Sequence, residues 1–360
     1  SKQKASEIIN KAKELNCDNI VINAEITPGQ MKNLQDLAGY DIRILDRTGI
    51  IIDIFSVHAQ TGEAKTQVSL AKLEYMLPRL TRQWTHLERQ MGGTGTRGGP
   101  GEKQIEIDRR LIRKDIDKLK KDLIRIQKSR ATQNKHRSTA FQVSLVGYTN
   151  AGKSSLMNIL TDSNVYVKNE LFATLDSTTK KLELNVNKTS VISDTVGFIQ
   201  KLPHELVASF RSTLSDIQGS DLILKVVDSS YSNIEMHIKT IDDTIKSIEC
   251  DKIESRFVFN KIDLISTERL KTLMKRFPGS IFTSAFKKIG HENLISNISD
   301  LASIDFIYRT IKIKYSDLSI IDYIYKNLDV YVRKDTDKYV EISAKGPKSI
   351  FKKIDGLIKT

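Results

Sequence analysis

The stretch GYTNAGKSSLMNIL, residues 147–160, constrains the fold of this chain more than any other feature. It follows the apolar segment FQVSLV and opens a run with helical spacing of apolar residues, so its order is strand, turn, helix. Within it, Gly147, Gly152, Lys153 and Ser154 satisfy the spacing G-x-x-x-x-G-K-[ST]. Glycines let such a turn wrap without side-chain clashes, so its N–H groups form an anion nest at the positive end of the helix. The sequence therefore predicts a phosphate loop, in which Lys153 reaches the terminal phosphates and the Ser154 hydroxyl binds Mg²⁺.

A second stretch, SDTVGF at residues 193–198, ends an apolar strand with the groups that a nucleotide switch needs. Asp194 lies at the strand end, where a carboxylate holds magnesium through water. The Gly197 N–H can contact a γ-phosphate and couple the following segment to the state of the nucleotide. The next residue is Phe198, at the place where Ras-like enzymes have a glutamine that orients water. We therefore expect slow intrinsic hydrolysis that a partner accelerates.

A third stretch, FNKIDL at residues 259–264, predicts the choice of base. The Asp263 carboxylate can accept from the N1–H and 2-amino groups of guanine, and adenine offers neither donor. We expect Asn260 to brace the base and its loop, and the Lys261 stem to cover the face of the base. In the later segment TSAF, the Ala285 N–H can donate to guanine O6. Four such motifs in this order, each after a strand, are a strong guanine-nucleotide signature.

Strands and helices alternate through the region that carries these motifs, from residue 141 to about 308. This alternation predicts a mostly parallel sheet with helices on both faces. The remaining residues predict a small α+β domain. Its expected elements are a strand at 311–315, a helix at 317–328, strands at 329–333 and 338–343, and a helix at 347–358.

Upstream, the first 60 residues read as a small α/β unit. NIVINA predicts a buried strand, TPGQMKNLQDLAG a helix capped by Thr27, and both DIRILDR and IIIDIFSVHA further extended or mixed segments. Two helical seams with spacings of three and four follow. The first comprises Leu70, Leu73, Leu77, Leu80, Trp84 and Leu87, and the second Ile105, Ile112, Ile116, Leu119, Leu123 and Ile126. Two such helices joined by a loop form an antiparallel hairpin.

The loop between these helices is MGGTGTRGGPGEK, residues 91–103, and it contains six glycines. Ordering so many glycines costs backbone entropy. The composition leaves two interpretations open, a flexible linker or a loop whose backbone must approach another surface closely. In the second case, Arg97 at its centre can meet a phosphate.

Positive charge is concentrated in the same region. The chain has a net charge of +13, and residues 79–137 hold 17 Lys and Arg against 7 Asp and Glu. This concentration indicates a polyanionic partner. The alternative is a solvated charged helix without a partner.

The cysteines and the hydropathy of the chain give no sign of a disulfide-rich, metal-binding or membrane-spanning protein. Cys17 and Cys250 match no metal or redox spacing, and we expect both to be reduced, buried thiols of a cytoplasmic protein. No apolar run approaches the roughly 20 residues that span a bilayer. We expect a monomer without a membrane span.

Together with the nucleotide motifs, several longer segments resemble the HflX family of ribosome-associated GTPases, which belongs to the Obg–HflX group of P-loop GTPases. They are LDRTGIIIDIF, QVSLAKLEYMLPRLTR, GGTGTRGGPGEKQIEIDRR, GYTNAGKSSLMN, LFATLDSTT, DTVGFIQKLPHELVASFRSTL and NKID. The likeness covers roughly residues 5–290, and the glycine loop is its most specific part. The chain departs from the family pattern at TRGGPGE, with one glycine more than expected, and at Ser177, where a proline is usual.

The resemblance implies four regions of the chain. These are residues 1–90 as an N-terminal α/β unit with the first hairpin helix, 91–137 as the RNA-facing glycine loop and second helix, 138–308 as a P-loop GTPase domain, and 309–360 as a small C-terminal α+β domain. The Mg²⁺-binding threonine of the first switch is expected in LFATLDSTT. We favour Thr174, which follows the FAT pattern of the family, with Thr178 as the alternative.

The expected site residues follow from the motifs and the resemblance. The nucleotide set comprises Gly147, Tyr148, Thr149, Asn150, Ala151, Gly152, Lys153, Ser154, Ser155, Phe172, Ala173, Thr174, Leu175, Asp176, Asp194, Thr195, Val196, Gly197, Asn260, Lys261, Asp263, Ser284, Ala285 and Phe286. Ser154, Thr174 and Asp194 are the expected metal ligands, and Lys153, Thr174 and Gly197 the expected catalytic groups. The RNA contacts are expected from Arg97, Lys103, Arg109, Arg110 and Arg113.

The function that the resemblance implies is a GTPase, with GTP or GDP and Mg²⁺ as cofactors, that binds the large ribosomal subunit and its rRNA near the peptidyl-transferase region. Such a protein splits stalled or idle 70S ribosomes under stress, and the ribosome stimulates hydrolysis. An alternative is a large-subunit assembly or anti-association factor in which hydrolysis only drives release. An RNA-modification GTPase or ATP-driven RNA remodeller is a third reading, and the sequence shows no second catalytic site for it.

Overall fold

The computed structural model describes residues 2–39, 41–80, 102–134, 140–161, 178–184, 186, 189–198 and 217–358. The chain divides into two compact units. The first contains the N-terminal elements through the long helix that precedes residue 135, and the second contains the described elements from residue 140 onward.

The first unit is built on a two-stranded parallel sheet and five helices. Its elements are α1 (Lys2–Glu14), β1 (Asn19–Ile22), α2 (Pro28–Ala38), β2 (Arg43–Asp46), α3 (Arg47–His58), α4 (Gly62–Met76) and α5 (Glu102–Asn134). The predicted N-cap Thr27 of α2 is confirmed, and it forms a capping box: the Thr27 side chain accepts from the Gln30 N–H, and the Gln30 side chain accepts from the Thr27 N–H. The strand predicted in NIVINA is present as β1, but the expectation that it is buried was wrong, since its residues alternate between exposed and half-buried and Val21 is 56% exposed. The segment DIRILDR contains strand β2.

The segment IIIDIFSVHA is part of helix α3, so the expectation of extended structure there was wrong. Asp46 decides the outcome, since its buried Oδ1 accepts from the Gly49 N–H at 2.8 Å and caps the helix. The same oxygen accepts from the Tyr75 hydroxyl at 2.7 Å, and the Arg79 guanidinium lies 3.5 Å from Oδ2. Burial and the Asp46 carboxylate raise the pKa of Tyr75. A buried polar cluster thus ties the start of α3 to the end of α4.

The two helical seams pack against each other as predicted. Leu70, Ile116 and Leu123 form a buried cluster between α4 and α5, and Lys120 on α5 pairs with Glu74 on α4 at 2.8 Å. In the described residues, the first seam is not one continuous α-helix. The α-helix ends at Met76, and Leu77–Arg79 form a 3₁₀ turn around Pro78, whose ring cannot continue an α-helix interior. Trp84 and Leu87 lie outside the described residues.

The second unit contains a six-stranded sheet with the order β4-β5-β3-β6-β7-β8. The strands are β3 (Phe141–Gly147), β4 (Thr178–Leu182), β5 (Ser190–Asp194), β6 (Leu222–Asp228), β7 (Glu254–Asn260) and β8 (Ile281–Phe282). All neighbouring pairs are parallel except β4 with β5, which confirms the predicted mostly parallel sheet. The strands that follow β3 in sequence are first added on one side of it (β4 and β5) and then on the other (β6, β7 and β8). The loops after β3 and β5 therefore meet at the carboxyl edge of the sheet.

Four helices in the described residues accompany this sheet. They are α6 (Lys153–Thr161), α7 (Ile234–Ser247), α8 (Thr267–Arg276) and α9 (His291–Ala302). The core joins the central strands to α6 and α9, with Leu145, Met157, Leu224 and Ile298 all fully buried. This packing fixes the strand ends from which the loops of the site emerge.

The C-terminal part is an α+β arrangement, as predicted. Its three strands are longer than expected, and they form an antiparallel sheet. Its elements are β9 (Phe306–Lys314), α10 (Ser319–Asn327), β10 (Asp329–Asp335), β11 (Tyr339–Pro347) and α11 (Lys348–Leu357). Both helices share one apolar core with a single face of the sheet, including Ile313, Ile324, Ile342 and Phe351.

The cysteine prediction was half right. Cys250 is buried, and burial raises the pKa of its thiol, whereas Cys17 is exposed. Within the described ranges, no helix combines the length and the apolar composition that crossing a membrane requires.

Candidate nucleotide-binding site

The predicted phosphate loop connects β3 to the first turn of α6. Asn150 and Gly152 adopt positive φ values of 61° and 89°, the left-handed backbone that a loop folded around an anion requires. Lys153 is buried, and its Nζ donates to the carbonyl oxygens of Gly147 and Tyr148 at 3.2 Å each. Burial lowers the pKa of Lys153, and the charge of Asp194 acts in the opposite direction. The lysine is therefore held against the loop, where a phosphate would gain a nearby cation.

Asp194 at the end of β5 meets the phosphate loop directly. The Ser154 hydroxyl donates to Asp194 Oδ2 at 2.5 Å, and the carboxylate is fully buried. The neighbouring Thr195 hydroxyl donates to the Leu145 carbonyl oxygen at 2.7 Å, which fastens the strand end to β3. A hydroxyl and a carboxylate brought together at the phosphate loop are hard oxygen donors of the type that Mg²⁺ prefers. The donor set thus fits the metal predicted from sequence.

Gly197 lies against the phosphate loop with no room for a side chain. A Cβ atom on Gly197 would lie 2.8 Å from Thr149 Cα and 3.2 Å from Lys153 Nζ. Phe198 then pairs with the loop through its backbone: its N–H donates to the Gly147 carbonyl oxygen, and its own carbonyl accepts from the Thr149 N–H, both at 2.9 Å. The phenyl ring is buried, so no polar side chain stands at this position.

Asn260 at the end of β7 joins the phosphate loop to the base-recognition segments. Its side chain is 1% exposed. Its Nδ2 donates to the Ala151 carbonyl oxygen at 3.0 Å, and its Oδ1 accepts from the Ala285 N–H at 3.0 Å and the Thr283 hydroxyl at 3.3 Å. A Cβ on Gly152 would lie 2.3 Å from Asn260 Nδ2, so the glycine of one motif makes space for the asparagine of the other.

The other residues predicted to recognise the base lie on the segments that this asparagine joins. Asp263 accepts from the Ser284 hydroxyl at 2.5 Å, and Ser284 in turn accepts from the Lys287 N–H at 3.0 Å. Lys261 has a left-handed backbone with φ of 63°, which turns the chain sharply after β7. Phe286 is 88% exposed, so it does not pack into the loop that holds Ala285.

Asp228 is a residue of this site that the motif search missed. It ends β6, and its Oδ2 lies 2.8 Å from Lys261 Nζ, while its Oδ1 accepts from the N–H and hydroxyl of Ser230. The ion pair holds the lysine stem whose predicted role is to cover the base. The signal was available, because Asp228 ends an apolar strand, LILKVVD, in the same way as Asp194 ends its own.

A stack of three rings supports the phosphate loop from the side of α7. The His237 ring lies between Tyr148 of the loop and Tyr231, with centroid distances of 4.0 Å and interplanar angles of 12° and 17°. His237 is 4% exposed, and its two ring nitrogens have no hydrogen-bond partner among the described residues. Burial lowers the pKa of His237, against a smaller opposite effect of Asp228. The folded protein therefore favours the neutral imidazole.

We expect His237 to make the protein less stable at acidic pH. An unfolded histidine takes up a proton near pH 6.5, whereas the folded one resists it, so stability present above that pH is lost as the pH falls toward the lowered folded-state pKa. The loss is bounded by about 1.4 kcal/mol per pH unit for one group. In thermal unfolding between neutral and mildly acidic pH, His237→Phe should keep the stack and lose less stability than the wild type. Parallel curves for the two proteins would contradict this role.

Several predicted residues lie outside the described part of the chain. They are Phe172, Ala173, Thr174, Leu175 and Asp176 of the first switch and Arg97 of the glycine loop. The alternative threonine, Thr178, is described and lies directly opposite Asp194 in the β4–β5 pairing, on the same sheet edge as the proposed metal ligands. Arg109, Arg110 and Arg113 are exposed on α5, and Lys103 belongs to the same helix.

Three family models match the chain in succession. A model described as GTP-binding GTPase N-terminal matches residues 1–56, and one described as GTP-binding GTPase Middle Region matches residues 58–137. A model described as 50S ribosome-binding GTPase matches residues 142–261, the part that contains the phosphate loop, Asp194 and Asn260.

Full-length relatives agree with these models. A protein named GTPase HflX from Magnetococcus marinus is 42% identical over 81% of this chain and 68% of its own length. The GTPase HflX of Escherichia coli is 38% identical over 86% of this chain and 73% of its own. The chain belongs to the HflX family of GTPases. The GTPase HflX of Flavobacterium psychrophilum is 50% identical over 68% of this chain, although the match spans only 58% of that relative.

Membership in the HflX family accounts for the arrangement of the site. Guanine-nucleotide binding is the property that this GTPase family shares, and the described loops supply a phosphate cradle, a carboxylate–hydroxyl pair and a braced base-recognition segment. The resemblance inferred from motifs alone is thereby confirmed.

Proposed function

We propose that this HflX-family chain is a GTPase that binds the large (50S) ribosomal subunit and separates stalled or idle 70S ribosomes during stress, with the subunit stimulating hydrolysis. The observation that carries the proposal is the coupling of Gly197 to the phosphate loop. Because Gly197 abuts Thr149 and Lys153, and Phe198 pairs with Gly147, a γ-phosphate in the loop would displace or hold the segment that follows residue 198.

In this proposal, each described loop has a separate task in binding GTP. The N–H groups of residues 148–154 and Lys153 hold the phosphates, and Asp263 and the Ala285 N–H select guanine over adenine. Ser154 and Asp194 would hold Mg²⁺, together with Thr174 or Thr178, and the ion when bound would neutralise charge on the β- and γ-phosphates. Lys153 and Gly197 would stabilise the transferring phosphoryl group.

The buried Phe198 supports stimulation by a partner. It occupies the position at which a polar side chain could orient water, and its apolar side chain is buried. The described groups thus bind and orient the nucleotide but offer no water-positioning side chain at residue 198. We infer that bound 50S subunits complete the site, either by ordering the switch segments or by supplying a group.

The ribosome assignment is supported by the family model described as 50S ribosome-binding GTPase and by the charge of residues 79–137. Exposed Arg109, Arg110 and Arg113 on α5 can neutralise rRNA phosphates, and such contacts make affinity salt-dependent. We assign residues 91–137, including Arg97 and Lys103, to the RNA-facing part, and residues 138–308 to the GTPase domain. GTP would favour the docked form, and hydrolysis would release it.

The direct test is GTP turnover with and without purified 50S subunits. We expect turnover to rise by roughly three orders of magnitude or more with 50S subunits, in the range that partner-supplied groups give other GTPases. Lys153→Ala should abolish it in both conditions, and Lys225→Ala, which removes a lysine paired with Asp242 on α7, should not. Turnover that 50S subunits leave unchanged would reject the ribosome as the stimulating partner.

Ribosome splitting has its own measurement. Intact 70S ribosomes are mixed with the protein and a non-hydrolysable GTP analogue and sedimented through a sucrose gradient. Free subunits support splitting, because binding alone then suffices to separate them. Intact 70S particles together with 50S-stimulated turnover would favour an assembly or anti-association role, in which hydrolysis serves release.

A further inference from the structure

The C-terminal sheet exposes one whole face. Its other face packs on α10 and α11, through buried residues that alternate along β9 and β11. Strand register places the intervening residues together on the open face. Many of its members are tyrosine and lysine side chains: Tyr308, Lys312, Lys314, Tyr331 and Lys334 are exposed, and Tyr339 and Lys345 are half-buried.

Two tyrosines on this open face form a pair of accessible rings. Tyr308 is 72% exposed and Tyr331 58% exposed, and their ring centroids lie 6.0 Å apart. A register shift between Val330 and Val332 sets Tyr331 at a β-bulge, which turns it outward beside Tyr308 instead of into the core. Lys345 Nζ lies 5.2 Å from the centre of the Tyr308 ring.

Lysines continue along the same face at regular intervals. Lys312 pairs loosely with Glu341 at 4.0 Å and lies 5.0 Å from the Tyr339 ring centre, and Lys314 is the partner of Tyr339 in the ladder. The face carries four lysines and two carboxylates, those of Asp329 and Glu341. The surface therefore carries net positive charge next to flat, solvent-exposed rings.

We propose that this open face of β9, β10 and β11 binds single-stranded RNA. Tyr308 and Tyr331 offer ring faces on which unpaired bases can stack, and the lysines can follow the phosphate backbone. A duplex would not fit this chemistry, because its base faces are already stacked on one another. The preference for RNA over DNA rests on the proposed ribosomal partner, whereas the stacking surface does not depend on it.

The composition of the face argues against a protein partner. Protein interfaces are depleted of lysine and rich in apolar side chains at their centre. Among the described residues of the three strands, Val332 is the exposed aliphatic side chain, and its partner on the neighbouring strand is the polar Ser343. A partner with negative charge and exposed π faces matches better than a protein surface does.

The test uses the full chain and a fluorescently labelled oligo(U) RNA of about 12 nucleotides, within the range of roughly 4–16 that one such site covers. Binding is measured by anisotropy in low salt. We expect the double variant Tyr308→Ala/Tyr331→Ala to weaken binding at least about tenfold, since each stacked base contributes substantially. Tyr325→Ala is the matched control, because Tyr325 is also exposed but lies on α10, at the helical side.

A second readout separates this face from the basic helix α5. RNA carrying 4-thiouridine is photocrosslinked to the wild-type chain, and the crosslinked peptides are identified. Crosslinks within β9 or β10 support the proposal, and crosslinks confined to residues 102–134 overturn it. Unchanged affinity of the tyrosine variant, or tighter binding of an oligo(dT) of the same length than of the RNA, would also overturn it.

The outcome is independent of the proposed ribosome-stimulated activity. The tyrosine variant should keep full GTP turnover in the absence of ribosomes, because Tyr308 and Tyr331 lie on no element of the nucleotide site. Loss of 50S-stimulated turnover without loss of RNA binding would indicate a protein contact on this face and would reject the RNA proposal.

Discussion

Replacing Asn260 with alanine is expected to weaken GDP and GTP binding by roughly a hundredfold. The side chain is buried and bonds three groups that belong to two different loops: the Ala151 carbonyl oxygen, the Ala285 N–H and the Thr283 hydroxyl. Its removal leaves the first two without this partner in the interior, and each such loss costs about 1–3 kcal/mol. The base-recognition segment would then lose its fixed distance from the phosphate loop.

The measurement is a titration of fluorescent GDP and GTP analogues into the folded variant. Asn293→Ala is the matched control, since Asn293 is exposed on α9 and its side chain accepts only a local bond from Asn297. The melting temperature of both variants shows whether the loss is specific to binding. If folded Asn260→Ala bound guanine nucleotides within about threefold of the wild type, a difference below 1 kcal/mol, the bracing role assigned to it would be rejected.

The relation between Asn260 and Gly152 shows what the motifs could predict and what they could not. Each motif was recognisable because phosphate and guanine impose residue types at fixed local spacing. Their dependence on each other is not local: Gly152 must lack a Cβ because Asn260 Nδ2 occupies that space. A contact between residues that are more than a hundred positions apart is set by the sheet order, which a single sequence does not display.

The same distinction explains the errors in the N-terminal unit. Isoleucines 50–52 are β-branched and fit a strand as well as a helix over so short a run. The choice was made by Asp46, whose carboxylate caps α3 and also binds Tyr75, 29 positions further along. Helix α4 was predicted from its apolar spacing, but its end at Met76 follows from Pro78. This local signal was visible in the sequence, and the prediction gave it less weight than the spacing.

His237 and Asp228 illustrate a third limit. His237 falls at helical spacing with Ile234, Ile241 and Ile245, a pattern typical of an ordinary core position on a helix such as α7. Only the three-dimensional structure places its ring against Tyr148 of the phosphate loop. Asp228 could be recognised in the sequence as an acidic residue at the end of a strand. Its ion pair with Lys261 could not be recognised there, because it depends on β6 and β7 being neighbours in the sheet.

Substituting Gly147 with alanine is expected to destabilise the GTPase domain by roughly 3 kcal/mol, at the upper end of what overpacking costs in a well-packed interior. A Cβ on Gly147 would lie 2.3 Å from the Val226 carbonyl oxygen, which is backbone of the neighbouring strand β6 and cannot rotate away. One of the two central strands must therefore move. Gly147 also accepts bonds from Lys153 Nζ and the Phe198 N–H, so the phosphate loop and the segment after Gly197 move with it.

Thermal and urea unfolding measure this effect, and we expect a melting temperature lower by about 6–12 °C. Gly356→Ala provides a control of opposite sign in the same compact unit. Gly356 lies inside helix α11, a Cβ there meets nothing within 4 Å, and alanine favours helix over glycine by about 1 kcal/mol. If Gly147→Ala left stability unchanged or raised it while Gly356→Ala behaved as expected, β3 and β6 could not pack as closely at Gly147 as described. In that case β3 would be able to shift relative to β6, and the sheet alone could not hold the phosphate loop in place. The shape of the loop would then depend on the bound nucleotide.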